Sequence, residues 1–475
     1  MMASATAPVL TLVEVARMAA GDLVVREVPS APGEREAFLK SGVDGVSIDS
    51  RTLQPGQLFV PLRGGNTDGH QFIPEAFRRG AALALCERSH YVEWEGREPG
   101  PLVVVDDATE ALQLLARRYR DGWTGLMIGV TGSSGKTTTK DLVAAVLSAT
   151  APTLKTEGNL NNHWGVPLTL MRLRAEHRSA VVEIAMNRPG EIALLAGLTR
   201  PDAAVITNAG SAHLAGLGSL AAIAREKASL AASVPPGRPV IAGADSPRLM
   251  TALKAMKVRI VGYGFADEAD VRPKAVTDLG PEGSRFTVAG FPPIHLKLIG
   301  RHQVQNALGA LAVAREYGVD PALAVAALEA QRPSKGRMEV RAVLGATLLA
   351  DCYNANPDAT RAALGTLASW PKATRRIAVL GDMLELGADA ARLHRETGGE
   401  VRDAALWVVG AHAKDYAAGA KKAGIEVRVF ADKPSLAEAL RAVLAPKTVV
   451  LIKASRGAAL EDVIELLGPA AGGER

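Results

Sequence analysis

Cysteine is nearly absent from this sequence. Cys86 and Cys352 are the only two and lie far apart, so neither a disulfide framework nor a Cys-based zinc site is written here. Aromatic residues make up only 4% of the chain, which removes the stacking platforms that single-stranded nucleic acid requires. Positive charge is in slight excess, 55 Lys+Arg against 50 Asp+Glu. That excess does not gather into a tail or cluster, so no nucleic acid partner is expected. No apolar run approaches the roughly 20 residues of a membrane-spanning helix. The first twenty residues lack a basic leader, and Glu14 and Arg17 interrupt what could be a signal core. Leu12, Val13, Val15, Ala16 and Ala19 instead suit a short amphipathic helix. Gly 47 and Pro 27 are too few for a fibrous or low-complexity chain. The expectation is a cytoplasmic protein of a reducing compartment, without a membrane span.

What is present is an α/β pattern. With 475 residues, and roughly 150 residues per domain, three domains are expected. Residues 1–107 carry short apolar runs at 58–62, 82–86 and 102–105 with a helix over 72–79, a small mixed α/β domain. Residues 108–334 change to strand–loop–helix units, with strands at 126–130, 180–185 and 203–207. That alternation predicts a mostly parallel sheet flanked by helices. Residues 335–475 repeat it through strands at 347–351, 377–381, 406–410, 427–431 and 449–453, a second, Rossmann-like sheet whose ligand site belongs at the strand carboxyl ends. The stretch 331–339, with Pro333, Ser334 and Gly336, reads as a hinge.

The strongest local signal is GVTGSSGKTTT, residues 129–139. A glycine-rich turn between a strand and a helix lets backbone amides converge on phosphate oxygens, with the helix N-terminus behind them. Gly132, Ser133, Ser134, Gly135, Lys136, Thr137 and Thr138 form this loop, with Val130 where the usual spacing has glycine. Lys136 is expected to reach the β- and γ-phosphates, and Thr137 to offer its hydroxyl to Mg²⁺. The ion needs a carboxylate as well, and Glu183, ending an apolar strand, is the candidate. His213 follows the next strand in a polar loop. Lys227 shares a helical stripe with Leu220, Ile223 and Leu230. Either its ammonium snorkels to solvent, or burial lowers its pKa and the neutral amine takes up CO₂ as a carbamate. Periodicity alone leaves both open.

The motifs SIDSRTLQPGQLFVPLRGGNTDGHQFI (47–73), TGSSGKTTTKD (131–141), EGNLNNHWGVPLTL (157–170), EIAMNRPGEI (183–192), GRHQVQNALGA (300–310), GRMEV (336–340), DCYNANPDAT (351–360) and LGDMLELG (380–387) run in fixed order over nearly the whole chain. In these, with the segment from His213 to Lys227 and the short-spaced loop, the sequence resembles the Mur ligases, and within them the dipeptide-adding branch. The resemblance implies three domains, for a UDP-linked substrate, for ATP, and a mobile Rossmann-like one. It implies an ATP-dependent ligase of peptidoglycan synthesis that joins D-alanyl-D-alanine to UDP-N-acetylmuramoyl-tripeptide through an acyl phosphate.

Its further implications are residue by residue. Lys227 would be carbamylated, and Glu183 and His213 would help hold two Mg²⁺ ions. Ser50, Arg51, Gly65 and Asn66 would face the UDP moiety, and Asn159, Asn161 and Asn162 the muramoyl-peptide path. His302, Asn306, Asn354 and Asn356 would approach adenine and ribose, and Arg337 and Asp351 would reach the nucleotide on closure. Cys352 and Ala359 depart from the family, where Asp and Ser are usual. Ser455, at the end of the last strand, is the candidate for gripping the dipeptide, and a monomer is expected. Two rival readings are a folylpolyglutamate synthase-like amide ligase and a phosphate-loop switch protein that hydrolyses nucleotide without ligation.

Overall fold

A computed structural model describes residues 10–26, 31–65 and 67–468. The chain forms two compact units. One comprises Met1–Gly129, Ala151–Ala185 and Glu191–Asp202; the other comprises Val130–Thr150, Met186–Gly190 and Ala203–Arg475.

The first unit opens with the expected amphipathic helix, Leu12–Ala19, capped by the Thr11 hydroxyl. Leu12, Val15, Ala16 and Ala19 are buried, but Val13 is exposed, because it lies on the far side of the helical wheel. A five-stranded sheet follows, in the order Asp22–Val24, Leu102–Val105, Leu83–Glu87, Leu58–Phe59, Val46–Ser47. Its first strand is antiparallel and the rest are parallel. The run expected over 58–62 is a strand only at Leu58–Phe59, since Pro61 has no amide to extend the ladder. The expected helix over 72–79 is a 3₁₀ turn, Gly69–Phe72, leading into Ile73–Arg78. The same unit holds a parallel pair, Thr153–Lys155 with Ser179–Glu183.

The second unit carries the parallel ladder Ala203–Ile206, Pro239–Gly243, Arg259–Tyr263. The phosphate-loop helix Lys136–Ser148 buries Leu142, Val143, Val146 and Leu147, as its periodicity requires, and packs on Arg301–Glu316. A small antiparallel sheet, Pro273–Asp278, Ser284–Val288 and Ile294–Leu296, went unread in the sequence. Its strands are short and the first is mostly exposed, so little apolar alternation marks it.

From residue 339 onward the five expected parallel strands are present. They belong to a six-stranded sheet in the order Glu339–Val343, Ala346–Ala350, Thr448–Lys453, Arg375–Leu380, Ala405–Val409, Val427–Phe430. The first of these is an additional antiparallel edge strand, joined to the second by the Leu344–Gly345 turn. One face is covered by Pro357–Ala368, Ala390–Gly398 and Ala413–Lys422, and the other by Lys433–Arg441 and Glu461–Leu466. The last strand, Thr448–Lys453, inserts between Ala346–Ala350 and Arg375–Leu380, and sheets of this kind bind ligands at the carboxyl ends of their strands.

One buried cation ties the first unit together. Arg120, in the last turn of Ala108–Asp121, donates to the carbonyls of Trp123 (2.8 Å), Thr199 (2.9 Å) and Arg200 (3.1 Å). It thereby satisfies carbonyls that the helix Glu191–Thr199 leaves unpaired at its end. Replacing Arg120 with Met should lower the unfolding free energy by about 3 kcal/mol, because several buried acceptors lose their donor. Urea unfolding of the purified variant measures this.

Candidate active site

The phosphate loop is anchored before any ligand arrives. Ser133 N donates to Asn208 O (3.1 Å), Ser134 N to Asn208 Oδ1 (3.1 Å), and Thr207 Oγ1 to Ser134 O (2.6 Å). These two serine amides are therefore committed to the end of the next strand. The first turn of Lys136–Ser148 presents the helix N-terminus at the loop, the end of a helix that favours phosphate. Both tight positions demand glycine. A Cβ on Gly132 would lie 1.8 Å from Thr207 Oγ1, and one on Gly135 would lie 2.5 Å from Asn306 Oδ1. Asn306 accepts from Thr139 Oγ1 (3.2 Å) and donates to Gln303 (2.9 Å); here it braces the loop from behind. Lys136 Nζ donates to Gly132 O at 2.9 Å, folded back over the loop. Thr138 sits half-buried in the first turn.

Lys227 resolves the question left open by periodicity. It lies in Leu220–Ala228 with no exposure at all, and its Nζ has no hydrogen-bond partner. The side chain does not snorkel. Burial first, and the positive charge of Lys136 second, push its pKa well below that of an ordinary lysine. A partnerless amine, its pKa driven down, is thus held within the field of the phosphate-loop lysine.

The residues beyond 335 bring further groups to the same loop. Arg337 Nη2 donates to Thr137 Oγ1 at 2.9 Å, while its guanidinium stacks 4.1 Å over the Tyr353 ring. Asp351 ends its strand paired to the buried Lys453 at 2.6 Å, and Lys453 also donates to Asn354 O at 3.0 Å. Burial, helped by Lys453 and opposed by Asp351, lowers the pKa of His302, so its imidazole is neutral at pH 7. The Asn354 side chain accepts from the next amide, Ala355 N. Asn356 caps Pro357–Ala368 by accepting from Ala359 N at 2.9 Å. The Ser455 hydroxyl joins strand ends, donating to Ala355 O and accepting from Leu384 N. Cys352 is buried, with its thiol pushed up to about 12 by that burial. His213 has a left-handed backbone (φ 63°), and its Nδ1 lies 2.7 Å from Glu385 Oε2, an ion-pair distance without hydrogen-bond alignment.

In the first unit, Glu183 ends its strand, with Oε1 accepting from Asn161 Nδ2 (2.8 Å) and Oε2 buried without a partner. Asn159 is exposed, and Asn162 accepts from Trp164 N and Gly165 N, closing a turn. Ser50 is buried, Arg51 pairs with Asp49 (2.7 Å), and Gly65 is exposed. Asn66 lies outside the described residues. Among the described residues Asp68, His70 and His90 bring ligand atoms within 4.8 Å of one another. His70 Nε2 accepts from Glu87 N (3.1 Å), so Nδ1 must carry the proton that meets Asp68 Oδ1 at 2.7 Å. With both nitrogens engaged, His70 is a structural group, not a metal ligand.

Three family descriptions match the chain: the Mur ligase family catalytic domain over residues 42–120, the Mur ligase middle domain over 130–314, and the Mur ligase glutamate ligase domain over 336–456. A UDP-N-acetylmuramoyl-tripeptide–D-alanyl-D-alanine ligase of Bacillus subtilis is 35% identical, over 89% of this chain and 93% of that relative. The chain belongs to the Mur ligase family. The crystal structure of MurF from Acinetobacter baumannii aligns at a TM-score of 0.85 and 28% identity, covering 98% of this chain and all of that one. MurF ligase from Thermotoga maritima in complex with ADP aligns at 0.78 and 27% identity, covering 90% and 97%. The fold is accordingly the three-domain Mur ligase fold.

Within the second unit Thr137 offers a hydroxyl and His213 an imidazole, and in the first unit Glu183 presents an unpartnered carboxylate oxygen; each is a donor type that a divalent cation takes. Several groups escaped the sequence reading. Asn208, Ser211 and Glu385 in loops, and Asp358 in the first turn of Pro357–Ala368, have partners distant in sequence. Lys453 did leave a signal, since a lysine closing the apolar run VVLI is costly to bury unless paired. Lys227→Met should remove a buried, unpartnered amine. In Mg²⁺-free, CO₂-depleted buffer the variant should therefore be more stable than the parent, by about 1–3 kcal/mol. The gain should shrink as pH rises towards 10.5, because the unfolded lysine then also loses its proton. Thermal unfolding across pH measures both.

Proposed function

We infer that this Mur ligase joins D-alanyl-D-alanine to UDP-N-acetylmuramoyl-tripeptide at the expense of ATP, in peptidoglycan synthesis. The observation that carries the reading is the coincidence in one site of an anchored phosphate loop and a fully buried amine, Lys227, under the field of Lys136. A motor or switch protein has no use for such an amine. In this reading residues 1–107 hold the UDP end, 108–334 the ATP, and 335–475 the dipeptide, in a cytoplasmic monomer.

A carboxylate does not acylate an amine until one oxygen becomes a leaving group. The γ-phosphoryl of ATP passes to the terminal carboxylate of the tripeptide, giving an acyl phosphate. The amine of the dipeptide then attacks the acyl carbon, and phosphate leaves with the electron pair. Lys136 and the first-turn amides of Lys136–Ser148 hold the phosphates and neutralise their charge in transfer. Arg337 closes over Thr137 from the third domain and excludes water, which would otherwise consume the acyl phosphate. Mg²⁺, when bound, offsets the charge on the moving phosphoryl group, with Thr137, Glu183, His213 and carbamylated Lys227 as its holders. The neutral Lys227 amine attacks CO₂ and the resulting carbamic acid loses a proton, turning a cation site into an anionic oxygen ligand. His302, Asn306, Asp351, Asn354 and Asn356 then serve adenine and ribose, and Ser50, Arg51, Gly65 and Asn66 serve the UDP. Asn159, Asn161 and Asn162 border the peptide path, and Ser455 the dipeptide.

Phosphate release with ATP and Mg²⁺ should require UDP-N-acetylmuramoyl-tripeptide and D-alanyl-D-alanine together. Release that needs neither indicates a switch protein, and release that needs a pteroylglutamate indicates a different amide ligase. Lys227→Ala should nearly abolish turnover, with partial rescue by a short added carboxylate. Full activity without rescue removes the carbamate from the mechanism.

A further inference from the structure

The segment 208–217 is gripped from two sides. Toward the phosphate loop, Asn208 clamps Ser133 and Ser134, and Gly210 N donates to Ser133 Oγ at 2.9 Å. Toward the third domain, Asp358 Oδ2 accepts from both Ser211 N (2.8 Å) and Ser211 Oγ (3.0 Å), and Ala215 N donates to Glu385 O at 3.1 Å. The fit is close enough to exclude a side chain at residue 210, where a Cβ would come within 2.2 Å of Asp358 Oδ2. Between these contacts Glu385 Oε2 meets His213 Nδ1 at 2.7 Å. His213 (φ 63°) and Glu385 (φ 64°) face each other from left-handed backbone positions, uncommon for residues other than glycine. The Glu385 mount is itself braced: Asp382 takes the amides of Ala411 and His412, both at 2.9 Å, and Leu384 N donates to Ser455 Oγ at 2.9 Å.

We propose that Glu385 is a positioning residue for ligation: it sets the His213 ring through Nδ1 when the third domain docks, leaving Nε2 for the ligand. A carboxylate held 2.7 Å from the second nitrogen restricts the ring orientation and favours the tautomer with its proton on Nδ1. Because that carboxylate belongs to a different domain, His213 is set only in the docked arrangement. ATP bound to an undocked protein then meets an incomplete site, which limits wasteful hydrolysis. The proposal rests on the ligase reading for what His213 does, and on geometry alone for the docking.

The test compares the parent protein with Glu385→Ala, Glu385→Gln, His213→Ala and the Glu385→Ala/His213→Ala double variant. Glu385→Ala should lower kcat about tenfold or more, with the KM for ATP held within about twofold. Glu385→Gln should recover most of the loss, because its amide oxygen takes the same place beside Nδ1 and can accept its proton. The double variant should be no slower than His213→Ala. Hydrogen exchange of the amides of 211–217, followed with ADP bound, should quicken in Glu385→Ala and stay at the parental rate in Glu385→Gln. Parental kcat in Glu385→Ala, multiplying losses in the double variant, a Gln variant as slow as Ala, or unchanged exchange in Glu385→Ala each overturns the proposal. Should the parent show no phosphate release dependent on both co-substrates, the ligase reading fails instead, and the exchange comparison still decides whether Glu385 docks the loop.

Discussion

The hydrogen bonds between the phosphate loop and the end of the strand Ala203–Ile206 are the constraint on which the rest of the site hangs. Asn208 contributes its backbone carbonyl and both ends of its side chain to Ser133 and Ser134. A loop so fixed cannot adapt to a ligand by moving; it must already have the shape of one. Two glycines are forced by that shape, because Thr207 and Asn306 stand where their side chains would project. Preorganisation of this kind costs folding free energy and returns it when charge develops on the substrate.

The same constraint passes outward. Residues 210–217 continue from Asn208 and meet the third domain through Asp358 and Glu385, while Arg337 reaches Thr137 from the hinge segment. Each contact pairs a charged or polar group of one domain with a group of the loop system. Such pairs discriminate strongly by geometry and weakly by energy when partly exposed. Lys227 works in the opposite sense. With no exposure and no partner, its amine is a standing cost that a carbamate and a cation would offset together.

Much of this was legible in the chain, for reasons that differ by residue. The phosphate loop and its helix declare themselves because glycine spacing, a lysine and an apolar stripe are all local properties. The five parallel strands after residue 339 were equally plain, four of them buried apolar runs and the edge strand Val427–Phe430 a half-exposed one. The antiparallel edge strand Glu339–Val343 and the small sheet spanning 273–296 were not, since half-exposed strands carry weak alternation. The expected helix is there with Val13 alone of its named apolar positions exposed, and the apolar run at 58–62 forms a strand only over its first two residues because Pro61 lacks an amide. Asn356 and Ser455 look like ligand groups in sequence, yet each spends hydrogen bonds on a helix cap or a strand junction.

By itself the sequence determined the α/β class, the nucleotide loop and the family, because these depend on residues near one another along the chain. It also put Lys227 on an apolar stripe, without saying whether the ammonium escapes. Only the tertiary structure decided that it does not, and only the structure joined His213 to Glu385, Ser211 to Asp358 and Lys453 to Asp351. Those decisions turn on burial and on partners more than a hundred residues apart, and no periodicity carries information over such a distance.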